Sequence, residues 1–437
     1  SGIRMAKVTK RKQVTENYRR TKILKTAEVQ VNNKNVLQEL QVPSIPKQAG
    51  VVLVCGQGDV GQLGLGPDVT EKMKPFPIPN LKDVVSIAAG GMHSICLTKN
   101  GEVYSFGCND EGALGRITES EGPDDKLESL PIKVNLPSKA VRISAGDSHS
   151  CALLEDGTLY AWGTFRDSHG TLGLVKEDTI SNVPIHIKHS KKIVKVNSGA
   201  DHIILLDSLG DVYTCGCAEQ GQLGRINIRS CDRYYSRNGC SSFLSLKKIE
   251  PDIRLSRLKF DDIWAGTYGS FVKVAGSTDI YVFGLNNYCQ MGLPEETVIS
   301  YFPQMSATWS RDIGWKKFSS GQHHTLAVNS QGECYVMGRY EYGRLGLGNI
   351  THDAQDATEI PAMKGRKCID ISCGNSSSFA VTADGDIYSW GMGGNGDLGS
   401  GNEEDIYTPT KVTGKHIEGK KVVAVSGGGQ HSMILVV

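Results

Sequence analysis

Residues 89–107 read "AGGMHSICLTKNGEVYSFG", and the order of parts in that string decides the fold. Gly90 stands three places before His93, which opens a short apolar run, and Asn100-Gly101 joins that run to a second one ending in Phe106-Gly107. Asn-Gly between two such runs is a hairpin signal, because both central residues of a type I′ turn need φ > 0. The same text returns at Gly146/His149, Gly199/His202, Gly321/His324 and Gly428/His431. Two degenerate copies follow Gly266, with Gly269 in the histidine place, and Gly374, with Ser377 there. Successive glycines lie 56, 53, 67, 55, 53 and 54 residues apart, a period that marks a repeat architecture.

A second series runs in step with the first. Cys55-Gly56, Phe106-Gly107, Trp162-Gly163, Cys215-Gly216, Phe283-Gly284, Met337-Gly338 and Trp390-Gly391 each end a strand-like run and lead into a glycine-rich turn with Leu-Gly or a variant of it. The first pair precedes the first histidine motif, and the last motif has no pair after it. The two half-repeats complement each other, so the expected fold is all-β: a seven-bladed β-propeller over 49–437, closed by N- and C-terminal strands.

The chain has 437 residues, 39% hydrophobic and 22% charged, with apolar runs of only a handful of residues, which excludes a membrane-spanning helix. Without a secretory leader, the 12 cysteines read as buried thiols in a reducing compartment. The net charge of +1 divides into +8 on residues 1–50 and −7 on the rest. Residues 1–48 read as a flexible basic arm, of which 1–4 look like a tag remnant. Its clusters at Lys10, Arg11, Lys12 and at Arg19, Arg20 suit an import signal and contact with nucleic-acid phosphates.

Two departures from the period carry functional expectations. The step from Gly216 to Gly284 is 68 residues, which puts an insertion near 226–250, where Arg229, Arg233, Arg237, Tyr234 and Tyr235 suit docking on an acidic or phosphate surface. The turn "FRDSHGTL" at 165–172 is one residue longer than its counterparts and is expected to project from one face. "GQGDVG" and "GMGGNG" match the dinucleotide fingerprint, but no helical pattern follows either, so both read as blade turns. Cys215, Cys217, Cys231 and Cys240 match no structural zinc spacing, and Asp147-Ser148-His149 is no hydrolytic triad. No metal site, cofactor or nucleophile is nominated.

The strings "LVCGQGDVGQLGLG", "FGCNDEGALGR", "CAEQGQLGR", "SGQHHT" and "YEYGRLGLG" resemble those of the regulators of chromosome condensation, over the whole body of the chain. That resemblance implies a guanine-nucleotide exchange factor for the small GTPase Ran, which makes no bond and needs no cofactor. It further implies a nuclear protein held on chromatin by the histone acidic patch and DNA phosphates of the nucleosome, generating Ran-GTP in the nucleus and carried there by an import receptor. Asp147, Asp201 and His323 match the family's exchange residues. Phe165, Arg166, Asp167, Ser168, His169, Gly170, Thr171 and Leu172 match its wedge, while Asp59, His93, Arg225 and His431 match further GTPase-facing positions. Arg233 and Arg237 are the expected nucleosome contacts of the insertion, and Cys289 departs from a position where relatives can have histidine. The alternatives are a chromatin-bound propeller scaffold without exchange activity, and a propeller hydrolase or lectin, for which the sequence nominates no central carboxylates.

Overall fold

The computed structural model describes residues 39–119, 126–236, 239–249 and 257–437. The basic residues Lys10, Arg11, Lys12, Arg19, Arg20 and Arg237 lie outside them. Seven four-stranded antiparallel sheets form the blades of a propeller, and an additional two-stranded ribbon, Phe165–Asp167 with Gly170–Gly173, stands between the third and fourth strands of blade 2. Blade 1 is typical, running Val84–Ala89, His93–Thr98, Val103–Gly107 and Ile132–Val134 in order. The last blade closes the ring: Val51–Gln57 pairs with His431–Val436, from Val51 opposite Val436 to Gly56 opposite His431. Residues 40–48, assigned to the arm by composition, lie against the blades, with the Leu40 amide donating to the Ser208 carbonyl at 2.9 Å and Val42 and Ile45 packed on buried side chains.

The two glycine series have steric reasons. A Cβ on Gly90 would lie 2.3 Å from His93 Cε1 and 2.5 Å from the Gly146 carbonyl of the next blade. One on Gly107, at φ +113°, would lie 2.6 Å from both His93 Cα and the Met92 carbonyl. These glycines let neighbouring strands approach, which leaves the histidines to connect blades.

Each connection has the same form. His93 Nε2 meets Ser150 Oγ at 2.7 Å, His202 meets Ser270 at 2.9 Å, His324 meets Ser378 at 2.9 Å, and His431 meets Ser94 at 2.8 Å across the closing seam. Each serine hydroxyl donates to a carbonyl, such as Ser150 to Ala113 at 3.0 Å. The histidine Nε2 must then be the donor to the serine, which assigns the tautomer. Burial lowers the histidine pKa values to between about 3 and about 4, so the rings are neutral. His149 breaks the series because Ile203 replaces the next blade's serine; neither ring nitrogen has a partner, and the ring meets Phe165 edge-on at 4.8 Å. Where serine replaces histidine, the Asp397 carboxylate accepts from Ser377 Oγ at 2.6 Å. Where glycine replaces it, Met291 Sδ fills the gap, 2.6 Å from where a Gly269 Cβ would stand.

Candidate exchange face

The residues just before the repeat histidine or its substitute, Met92, Ser148, Asp201 and Tyr268, come together at one mouth of the propeller, and His323 holds the same loop position in blade 5. The mouth is a cavity of about 560 Å³ whose wall includes Asp147, Asp201, Asp167, Glu219, Arg166 and Tyr268. Asp147 and Asp201 make this mouth acidic and attractive to cationic groups, whereas Asp167 is paired with Arg233 and Glu219 accepts from Ser168.

Asp201 is strongly perturbed. Its pKa is pushed up to about 7, first by burial and then by Asp147, although its Oδ1 accepts the Arg166 amide at 2.7 Å. Asp147 is solvent-accessible, yet it sits in the same concavity, and loss of hydration there raises its carboxyl too. The face thus holds carboxylates at an energetic disadvantage near neutral pH, as expected of groups awaiting a partner.

The ribbon beside this mouth is held from several sides. Arg166 pairs with Glu111 at 2.5 Å, Ser168 donates from both amide and hydroxyl to Glu219, at 3.0 and 2.5 Å, and Arg233 pairs with Asp167 at 2.8 Å. Only part of the sequence-defined wedge is available to a partner: Arg166, Ser168 and His169 are exposed, whereas Phe165 and Leu172 are buried as its root in the core of blades 2 and 3.

His323 stands at the equivalent loop of blade 5, outside the acidic cavity. Tyr288 meets it edge-on at 5.0 Å, and Arg339 lies 4.9 Å over the Tyr288 ring. Burial, then Arg344 and Arg339, lower the His323 pKa, which keeps the imidazole neutral beside two cations. Arg339 is itself paired with Glu341 and Arg344 is buried, so this side of the face offers an aromatic and imidazole surface with its charges matched.

The structure corrects several sequence expectations. His93 and His431 do not face a partner: they are 1% and 0% exposed and form the interblade bonds described above. Arg225 is turned inward, donating to Thr214 and to the carbonyls of Ser242, Phe243 and Ser245. Arg233 is not a free docking arginine, since its side chain is 6% exposed and committed to the ribbon. Asp59 is exposed, on the turn of the closing blade. Cys289 is packed inward at φ +59°, the place of a turn glycine in other blades. The sequence reading missed Glu111 and Glu219; nothing local singles Glu219 out, because Asp59, Asp110 and Glu341 hold the same turn position in other repeats. His169, Glu219 and Asp232 bring one ligand atom each within 4.8 Å of one another, but both Glu219 oxygens accept from Ser168 and His169 meets Asp232 at 3.3 Å.

Against known proteins, a family model described as RCC1-like domain matches residues 51–434. The chain is similar to the regulator of chromosome condensation of Xenopus laevis, 45% identical over 396 residues, which are 90% of this chain and 91% of that one. It is 30% identical over 430 residues to the guanine nucleotide exchange factor SRM1 of Saccharomyces cerevisiae, covering 86% and 85% of the two chains. The crystal structure of Prp20p from Saccharomyces cerevisiae, described with its binding properties to Gsp1p and histones, is 28% identical with a TM-score of 0.80 and covers 93% of this chain and 95% of that one. The yeast protein has also been solved bound to Kap60, with the same identity and TM-score over 93% and 96% of the two chains.

Proposed function

Since the chain belongs to the RCC1-like family, whose model spans residues 51–434, we propose that it is a chromatin-bound guanine-nucleotide exchange factor for the small GTPase Ran. The observation that carries this reading is the ribbon 165–173, held by Glu111, Glu219 and Arg233 beside a mouth lined by Asp147 and Asp201. A Ras-like GTPase holds its nucleotide through a phosphate-cradling loop, a lysine and Mg²⁺. Catalysis of release requires binding the nucleotide-free GTPase more tightly than the loaded one. The acidic mouth supplies attraction for the GTPase's basic groups. The exposed ribbon residues Arg166, Ser168 and His169 supply a wedge that competes with the backbone gripping phosphate.

By linkage, a partner that weakens nucleotide binding is weakened equally by nucleotide, so exchange is accelerated in both directions and the ratio of GTP to GDP sets its net course. Asp147, Asp201 and His323 are assigned to the exchange face, with Asp59 at its edge. The similarity to a histone-binding yeast protein supports a chromatin location, and the basic arm is assigned to DNA phosphates and to a nuclear-import receptor. Generation of Ran-GTP in the nucleus is the resulting role.

The deciding experiment is release of fluorescent GDP from Ran in excess unlabelled nucleotide, with a catalytic trace of this protein. Acceleration by orders of magnitude that is lost on replacing Arg166, Ser168 and His169 with alanine supports the reading. No acceleration from a folded sample reduces the protein to a chromatin-bound scaffold.

A further inference from the structure

The insertion in blade 3 has a use that its exposed tyrosines do not suggest. It leaves between the third strand of blade 3, Val212–Gly216, and the fourth, Lys247–Lys248, the same connection from which the ribbon leaves in blade 2. It is therefore placed to reach sideways onto its neighbour. The ribbon has strands of three and four residues, and an isolated pair of that length is marginal in water. Something outside it must fix its direction.

Of the contacts described above, Arg233 alone bonds to both strands of the ribbon. Its Nη2 donates to Asp167 Oδ1 at 2.8 Å on the first strand, and its Nη1 donates to the Thr171 carbonyl at 3.1 Å on the second. Nη1 also donates to Asp178 Oδ1 at 2.8 Å, on the segment leaving the ribbon. Both members of the central pair are buried, the side chains of Arg233 and Asp167 being 6% and 4% exposed. A planar guanidinium can hold three acceptors in fixed directions, which an ammonium cannot. The rest of the insertion reinforces this grip: Cys240 Sγ donates to Glu177 at 3.0 Å, Tyr234 meets His169 edge-on at 4.5 Å, and Cys240, Phe243 and Leu244 share a core with Phe165, Leu172 and Leu174.

We propose that Arg233 is a positioning residue for nucleotide exchange: it touches no part of the GTPase and instead fixes the angle at which the ribbon 165–173 enters it. The insertion is thus a buttress for the exchange element, in addition to any docking surface it carries. This inference rests on the exchange reading of the ribbon, and its test separates the two. In the full chain, Arg233→Ala and Arg233→Lys are compared with wild type by amide hydrogen exchange and by the kinetics of GDP release from Ran.

In Arg233→Ala, amides within 165–173 should exchange about 10-fold to 100-fold faster while those of the blade strands stay unchanged. The kcat should fall on the order of 100-fold, as for a displaced catalytic element, with KM for the GTPase moving less than about threefold. Lysine should recover part of both losses. The proposal is overturned if the ribbon amides stay as protected as in wild type, if KM rises at unchanged kcat, or if all blades lose protection together. Should the alanine variant not fold, the lysine variant decides by the same readouts. A wild-type protein that fails to accelerate release refutes the exchange reading alone, and the amide pattern still decides whether Arg233 holds the ribbon.

Discussion

Asp201→Asn should make the protein more stable and less active, in a manner that depends on pH. Asparagine keeps an oxygen to accept the Arg166 amide, so the local bond survives while the charge goes. The Asp201 carboxyl rises on folding from 3.8 to about 7, so the folded state holds its proton more tightly than the unfolded chain does. Its protonated form therefore stabilises fully below pH 3.8, the benefit shrinks as pH climbs, and above pH 7 the ionised group is at its full disadvantage. The whole shift is worth about 4 kcal/mol, and because solvent reaches the residue we expect ~1–2 kcal/mol after screening. Thermal unfolding of Asp201→Asn against wild type should then give a gain on the order of 1–4 °C at pH 8. The gain should be clearly smaller at pH 5. Exchange should fall roughly 30-fold or more in kcat/KM, the cost of removing one partner from an interfacial charge pair. A loss of stability at pH 8, or an equal gain at both pH values, would refute the view that this carboxylate is held ready for a partner at the expense of the fold.

Other consequences can be checked independently. His431→Ala should lower stability by about 2–4 kcal/mol in denaturant melts, through a cavity and the lost interblade bond to Ser94 at the closing seam, yet leave GDP release per folded molecule near wild type. A thiol reagent should label Cys108 and Cys231 of the native protein first, because they are part-exposed, whereas burial pushes Cys55, Cys151 and Cys215 up to about 12; unfolding should release all 12. Nucleosome affinity should fall with salt at a slope of about −0.9 per phosphate neutralised. Deleting residues 5–45 should flatten that slope, and an unchanged slope would remove the arm from the interface.

The propeller was readable because its signals are local and repeated. Gly90 answers to His93 and the next blade's Gly146 carbonyl, and Gly107 to His93 on the paired strand. Gly101 alone takes positive φ at its hairpin, so the turn there is not the type I′ that Asn-Gly suggested; seven copies make the period plain. The ring closure followed from counting half-repeats, and Val51–Gln57 indeed completes the sheet of His431–Val436. The site was harder to read because it is made between repeats. No spacing in the sequence reveals that Arg233 turns back onto Asp167, or that Glu219 receives Ser168, since these contacts join different blades. Sequence reasoning also cannot tell a repeat histidine facing a partner from one facing the next blade's serine. His93 and His431 belong to the second kind, and the serine after the next repeat's histidine, Ser150 for His93 and Ser94 for His431, was the available clue.

The seam between Val51–Gln57 and His431–Val436 also constrains how the molecule comes into being. Six blades are made from chain segments that are contiguous, so each can form once its own strands exist. The seventh must wait for the final strand, and bringing ends so distant together costs on the order of 5 kcal/mol in loop entropy. Until then the open ring presents unpaired strand edges at both ends, a state prone to pairing with other chains. A nascent or truncated chain lacking residues 431–436 is thus left as an arc with sticky termini, and the missing segment supplied as a separate peptide should be able to seal it.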